Sequence, residues 1–133
     1  MTFVLDERLV ADTLPVVSMG LCSLLLMNDS RWPWLILVPQ RATIREIYEL
    51  NALDQAALTF ETSLVSETMA KLTGCYKLNI GALGNVVPQL HIHVVARNQG
   101  DPNWPRPVWG FGGKLPYADG SADQFIDRLR AAF

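Results

Sequence analysis

The chain's only two histidines, His91 and His93, stand two residues apart in the run V-V-P-Q-L-H-I-H-V-V-A-R that ends at Arg97. Three kinds of chemistry fit that pair. A neutral imidazole held by a neighbouring group is a nucleophile that forms covalent intermediates. Two imidazoles are also a pair of metal ligands, although a four-coordinate site needs about two more. The chain has no third histidine, and its two cysteines stand far apart in sequence. The third reading is silent chemically: an exposed or hydrogen-bonded histidine pair. The spacing alone leaves all three open.

The element that must position the pair shows in the alternation. Leu90, Ile92 and Val94 fall on one parity; Gln89, His91 and His93 fall on the other. A strand sends successive side chains to opposite faces, so the run predicts a half-buried strand with an amide and two imidazoles in a row. Just before it, Gly81-Ala82-Leu83-Gly84-Asn85 carries two glycines. Glycine lets backbone approach a ligand closely, and successive N–H groups form an anion nest. The same composition also makes a plain tight turn.

The rest of the chain supplies a scaffold. Residues 6 to 12 predict a short helix with Asp6 as N-cap, ended by Pro15. Residues 16 to 28 read as two short strands, or one bent strand broken at Gly20. A turn at N-D-S-R leads to a strand over Trp34 to Val38, with prolines at both ends. A helical turn is expected within 43–49. The long helix runs from about Ala52 to Thr73, with Asn51 as N-cap and Gly74 as C-cap. Its stripe of Leu53, Ala57, Phe60, Leu64 and Leu72 is expected to pack on the sheet. Tyr76 to Ile80 predicts another strand. After Arg97 the Gly- and Pro-rich segment cannot be regular; Trp104 and Trp109 mark it as an ordered cover. Ser121-x-x-Gln124 reads as a capping box opening a short helix with Phe125, Ile126 and Leu129 on one side.

Length and composition fit one domain over residues 1–133, half of it hydrophobic and so able to build a core. A net charge of −2 argues against general affinity for nucleic acid or an anionic membrane. The early apolar run Leu24 to Met27 is far short of a membrane span, and the start does not read as a secretion signal. Cys22 and Cys75 form no C-x-x-C and are expected to be reduced strand residues of a cytoplasmic protein.

The stretch from Asn79 to Arg97 resembles the histidine triad (HIT) family, whose motif is H-φ-H-φ-H-φ-φ, with φ apolar, after a Gly-containing loop. Gln89-Leu90-His91-Ile92-His93-Val94-Val95 matches every position but the first, where Gln replaces His. The upstream L-L-M-N-D and P-W-L-I-L-V-P resemble the family's paired early strands, so the likeness spans roughly residues 24 to 97. It implies an α+β HIT-like fold: an antiparallel sheet of about five strands, one long helix packed on it and a short C-terminal helix. It also implies a homodimer and a nucleotide small-molecule substrate, such as a dinucleoside polyphosphate or a nucleoside phosphoramidate. No cofactor or protein-bound metal is implied, though a divalent cation could accompany a polyphosphate.

Carried over position by position, the resemblance makes His91 the catalytic nucleophile at the α-phosphate, its second nitrogen held by a backbone carbonyl of the motif. His93, Gln89, Gly84, Asn85 and Val86 become phosphate-binding, and Asn28 and Asn79 nucleoside-binding. Two departures matter. Gln89 cannot carry a proton, and Val86 stands where the family often has a small hydroxyl. Both favour the alternative, a nucleotide-binding HIT module with little or no turnover. If the chain is instead a slow enzyme resting on His91, Gln89→His is expected to restore a titratable donor and raise the rate. Trp32 and Trp34 read either as base-pocket walls or as core.

Overall fold

The computed structural model describes all of residues 1–133. The chain runs α1 (Glu7–Asp12), β1 (Thr13–Ser18), β2 (Cys22–Met27), β3 (Trp34–Pro39), a 3-10 turn at Ile47–Glu49, α2 (Ala52–Thr73), β4 (Lys77–Gly81), β5 (Ile92–Arg97) and α3 (Asp123–Ala132). The five strands form one antiparallel sheet in the order β1-β2-β3-β5-β4. The histidine strand β5 therefore lies inside the sheet, and β4 is an edge. The register sets His93 between Ile36 of β3 and Gly81 of β4.

Every residue of β3 and β5 is buried, because both faces of the sheet are covered. On one face Leu24, Leu26, Leu35, Leu37, Ile92 and Val94 pack with residues of α2 and α3. On the other, Leu25, Trp34, Ile36, Val38 and Val95 pack with Leu9 of α1, Trp32 and Val108. The imidazole parity belongs to this second face. The Gly- and Pro-rich segment contributes Val108 and Trp109 to it, so the expected covering role holds.

Four local expectations need correction. The paired strand begins only at Ile92, so Gln89 and His91 lie just ahead of it. Pro88 has no N–H for a ladder, and the Leu90 N–H donates to Ile44 O at 2.9 Å in a loop. The alternation of faces nevertheless continues back to Leu90, which lies in the first core. At the front of the chain β1 starts at Thr13 and contains Pro15, which an edge strand tolerates. Cys22 lies in β2 as expected, but Cys75 lies in the loop after α2. Finally, Ser121 does not cap α3: its hydroxyl donates to Ala118 O, and Ala122 occupies the N-cap position.

The caps of α2 are as the sequence predicts. Asn51 accepts from the Asp54 N–H, and Gly74 ends the helix at φ +63°, a conformation glycine adopts without penalty. Its packing stripe is not. Leu58, Val65 and Met69 face the core with Asp54 and Glu61, whereas Leu53, Phe60 and Leu64 are exposed. Two buried carboxylates disguise the inner face. Glu61 accepts the N–H groups of Leu21 and Cys22 at 2.7 and 2.9 Å, and Asp54 pairs with Arg41 at 2.7 Å. Ala57 and Leu72 alone of the expected stripe pack partly against the core. No helix is long and apolar enough to cross a membrane.

Candidate functional site

His91 and His93 are each held by one defined partner. The Nδ1 of His91 lies 2.7 Å from the Gln89 carbonyl oxygen. A carbonyl only accepts, so Nδ1 carries a proton, and in the neutral ring Nε2 keeps its lone pair. This is the orienting backbone carbonyl that the motif implies. His93 has the opposite tautomer. Its Nδ1 accepts from the Trp34 indole N–H at 3.0 Å, and an indole nitrogen is a donor only, so the His93 proton sits on Nε2. Burial, and then the neighbouring His91, push the His93 pKa down to about 3. His93 is therefore a neutral N–H donor across the physiological range.

The two rings meet edge to face with centroids 4.8 Å apart. Neither Nε2 has a protein partner and neither is sealed from solvent, since the one buried side-chain polar atom without a partner is Trp109 Nε1. The arrangement offers a nucleophilic nitrogen beside a hydrogen-bond donor. Trp109 stands edge-on to both His93 and Trp34, at 5.5 and 6.4 Å between centroids. It also limits Gly81: a Cβ there would come within 3.3 Å of its ring.

The glycine loop adjoins the pair. Gly84 has φ +71°, which a residue with a Cβ adopts only with strain. The backbone N–H groups of Gly84, Asn85 and Val86 donate to no protein acceptor, and the Asn85 amide bonds to nothing. Backbone N–H groups without protein acceptors are the kind of donor an anion nest uses. A cleft of about 700 Å³ opens alongside, lined by His91, Gly84, Leu83, Arg45, Tyr48 and Gln55 among others.

Gln89 does not reach into this space with a free amide. Its Oε1 accepts from the Asp6 N–H at 2.9 Å, and its Nε2 donates to Val4 O at 2.8 Å. Both ends of the side chain are engaged by the N-terminal segment. Asn28 stands apart from the histidines. It lies three residues beyond Leu25, which pairs with Ile36 and through it with His93; at about 3.3 Å per residue and about 4.8 Å per strand that is well over 10 Å away. Its Oδ1 accepts from the Tyr117 N–H. Asn79 is on β4, and its Oδ1 accepts from Arg97 at 3.2 Å. The two rings meet, and Gly84 shares a cleft with His91; Asn85 and Val86 follow Gly84 in the chain, and Asn28 stands apart.

Several polar groups outside the histidine pair left no mark in the sequence. Arg97 is almost fully buried and holds the covering segment through Asp101 at 2.7 Å and the Arg106 carbonyl at 2.8 Å. At the β2–β3 turn, Asp29 pairs with Arg31 at 2.7 Å and also accepts the Leu115 N–H. Burial alone would raise the Asp29 pKa, but the bonds from Arg31 and Leu115 outweigh it and hold it below the usual range. Arg8 bonds to the Val86 carbonyl at 2.7 Å. No group of three His, Cys, Asp or Glu side chains converges to hold a metal ion.

A five-stranded antiparallel sheet whose interior strand presents an oriented histidine pair beside a glycine loop defines a histidine-motif α+β protein. A HIT domain model matches residues 8–100. A histidine triad (HIT) protein from Sinorhizobium meliloti 1021 is 58% identical over 99% of this chain and 98% of that one, with a TM-score of 0.96. One from Marinobacter aquaeolei VT8 is 49% identical over 99% and 96%, with a TM-score of 0.97. Another, from Bradyrhizobium japonicum, is 43% identical over 99% and 98%, with a TM-score of 0.96. The comparison with curated proteins finds no match. The chain belongs to the histidine triad family.

Proposed function

We propose that the protein binds a nucleotide over the His91–His93 face and transfers its nucleotidyl group through His91. The observation that carries this reading is the pair of opposite tautomers, fixed by Gln89 O and the Trp34 indole. His91 Nε2 attacks the α-phosphorus; an N–P bond forms as the bond to the leaving group breaks, and the leaving group takes the electron pair. The Nδ1–H bond to Gln89 O supports the positive charge that develops on the ring. His93 Nε2–H and the N–H groups of Gly84 to Val86 bond the phosphoryl oxygens, where preorganised donors act best. Water then attacks phosphorus, releases the nucleoside monophosphate and restores His91. Dinucleoside polyphosphates and nucleoside phosphoramidates are the substrate classes this chemistry serves. A divalent cation enters only with a polyphosphate.

Single-turnover assays on a fluorogenic adenosine phosphoramidate test the reading, with AMP titration calorimetry alongside. His91→Ala is expected to remove turnover; a variant as fast as wild type moves the chemistry elsewhere. Binding of AMP without turnover of any conjugate would install the second reading, a nucleotide-binding module. The observation favouring that second reading is Gln89, whose amide carries no proton and is spent on Val4 and Asp6.

The protein acts as a homodimer on this reading. The face of α2 that was expected in the core is instead an exposed apolar strip, with Leu53 at 79% and Phe60 at 68% exposure. On the unpaired edge of β4, Ile80 is also exposed. A groove of about 300 Å³ between another side of α2 and β4 is lined by Leu58, Thr59, Thr62 and Ile80 among others. A second copy of the chain covers a helix face and a sheet edge at once.

A further inference from the structure

On the nucleotidyl-transfer reading, neither histidine brings a charge to the substrate phosphate. His93 is a neutral donor, and His91 must be neutral to attack. The substrate phosphate nevertheless carries negative charge that has to be met in the site. The loop of free N–H groups supplies dipoles but no full charge. One cation is bonded to that loop. Arg8, the second residue of α1, reaches back across the N-terminal segment, and its Nη1 donates to Val86 O at 2.7 Å. Asp6 holds the same guanidinium through Nε at 3.3 Å and Nη2 at 3.4 Å. A guanidinium has five N–H groups, so two remain free beside the loop.

The position of Arg8 depends on the residue that departs from the triad motif. Gln89 spans the Val4 carbonyl and the Asp6 N–H, at 2.8 and 2.9 Å. Those bonds clasp the backbone just ahead of α1. The Asp6 side chain then caps the helix by accepting the Arg8 N–H at 2.8 Å. A chain of contacts thus leads from Gln89 through Asp6 to Arg8 and on to Val86, which lies three residues before Gln89. A histidine at position 89 would break it, because an imidazole is shorter than the amide arm and holds its two nitrogens in a ring.

We propose that Arg8 is a substrate-phosphate ligand of this site and that Gln89 is the positioning residue that holds Arg8 at the loop. The replaced triad histidine is then not a gap. Its place is taken by a clasp that delivers a permanent cation from the N-terminal segment. This inference rests on the nucleotide reading above, deepens it with a named charge, and leaves His91 as the nucleophile.

Calorimetry with AMP and with adenosine tests it, because the two differ only in the phosphate. Arg8→Ala is expected to weaken AMP binding by about ten- to a hundred-fold, the range for a charge-assisted hydrogen bond, and to leave adenosine unchanged. Arg8→Lys should restore part of the loss. Gln89→Ala should reproduce the AMP-selective loss, and adding it to Arg8→Ala should cost nothing further, since both act through one contact. Circular dichroism checks that each variant is folded, and Arg8 lies on the surface where substitution is tolerated. Equal AMP affinity for wild type and Arg8→Ala would overturn the proposal. So would an additive loss in the double variant, which would mean that Gln89 meets the substrate directly. A loss confined to Arg45→Ala would also overturn it, placing the charge on the far wall of the cleft. Wild type that neither binds AMP nor turns over any conjugate would remove the nucleotide reading itself, and this inference with it.

Discussion

The depressed pKa of His93 makes stability depend on pH in a window that few other groups touch. The folded protein takes up the His93 proton only near pH 3, whereas an unfolded histidine does so near pH 6.5. As pH falls below about 6.5 the unfolded state gains a proton that the folded state refuses. Stability is therefore complete above that pH and declines as pH falls toward the folded value. Where only the unfolded state is protonated the slope is about 1.4 kcal/mol per pH unit. Asp6, Asp29 and Asp101 are lowered from an ordinary 3.8, and Glu67 from 4.5. The three aspartates stay mostly ionised in both states above about pH 4.5, and the Glu67–Lys71 pair is exposed and worth little in water. Between pH 6 and 4.5 the slope is therefore dominated by His93 and amounts to about 2 kcal/mol. For a chain of 133 residues that is a fall in Tm of about 5–10 °C. Urea unfolding across a pH series measures it, with His93→Gln as the reference, because the amide oxygen still accepts from Trp34. A wild type whose stability is flat between pH 6 and 4.5 would refute the reasoning. An undiminished slope in His93→Gln would do the same.

Gln89→His should slow single turnover, contrary to the expectation from sequence, because it breaks the bonds to Val4 and Asp6, each worth about 0.5–1.5 kcal/mol net; a faster variant would show that the missing proton carrier outweighs the clasp. Phe60→Glu should convert a dimer to a monomer in sedimentation experiments, since an apolar side chain of this size contributes about 1.5–3 kcal/mol when buried, and an unchanged sedimentation coefficient would rule out the α2 strip as the contact. Elemental analysis after mild purification should find no stoichiometric zinc, and one zinc per chain that disappears in His91→Ala would replace the nucleophile with a ligand.

What the sequence reveals is what local rules determine. The caps of α2 and the alternation through β5 each follow from a few neighbouring residues, and each is found as expected. The inner face of α2 is hidden because Asp54 and Glu61 occupy buried positions that a hydrophobic pattern assigns to solvent. Glu61 is tolerable there only because the Leu21 and Cys22 N–H groups, 40 and 39 residues away, turn toward it. The exposed strip misleads for the converse reason: Leu53, Phe60 and Leu64 follow helical spacing faithfully, but spacing identifies a face and not what covers it. Trp34 could be read as base wall or as core; it lies in the core, where its indole N–H also fixes His93. Arg8 was invisible, since its contact lies 78 residues away in the chain. Long-range polar pairs leave no periodic trace.

On the nucleotidyl-transfer reading the two imidazoles divide the work, because neither depends on the other for its proton. A backbone carbonyl holds one and an indole N–H holds the other, and neither partner titrates in the working range. Replacing the first triad histidine therefore leaves this pair untouched, since the bond to His91 uses the main chain of residue 89 and not its side chain. What the replacement removes is a group able to pass a proton. His93 cannot substitute, because burial keeps it a neutral donor that bonds oxygen without surrendering its hydrogen. On the nucleotidyl-transfer reading the requirement then shifts to the substrate. A leaving group that departs as a stable anion needs no proton from the motif, while an amine must find one from water. The chemistry open to this chain is set less by the loss of a nucleophile, which it retains, than by how little help its leaving group needs.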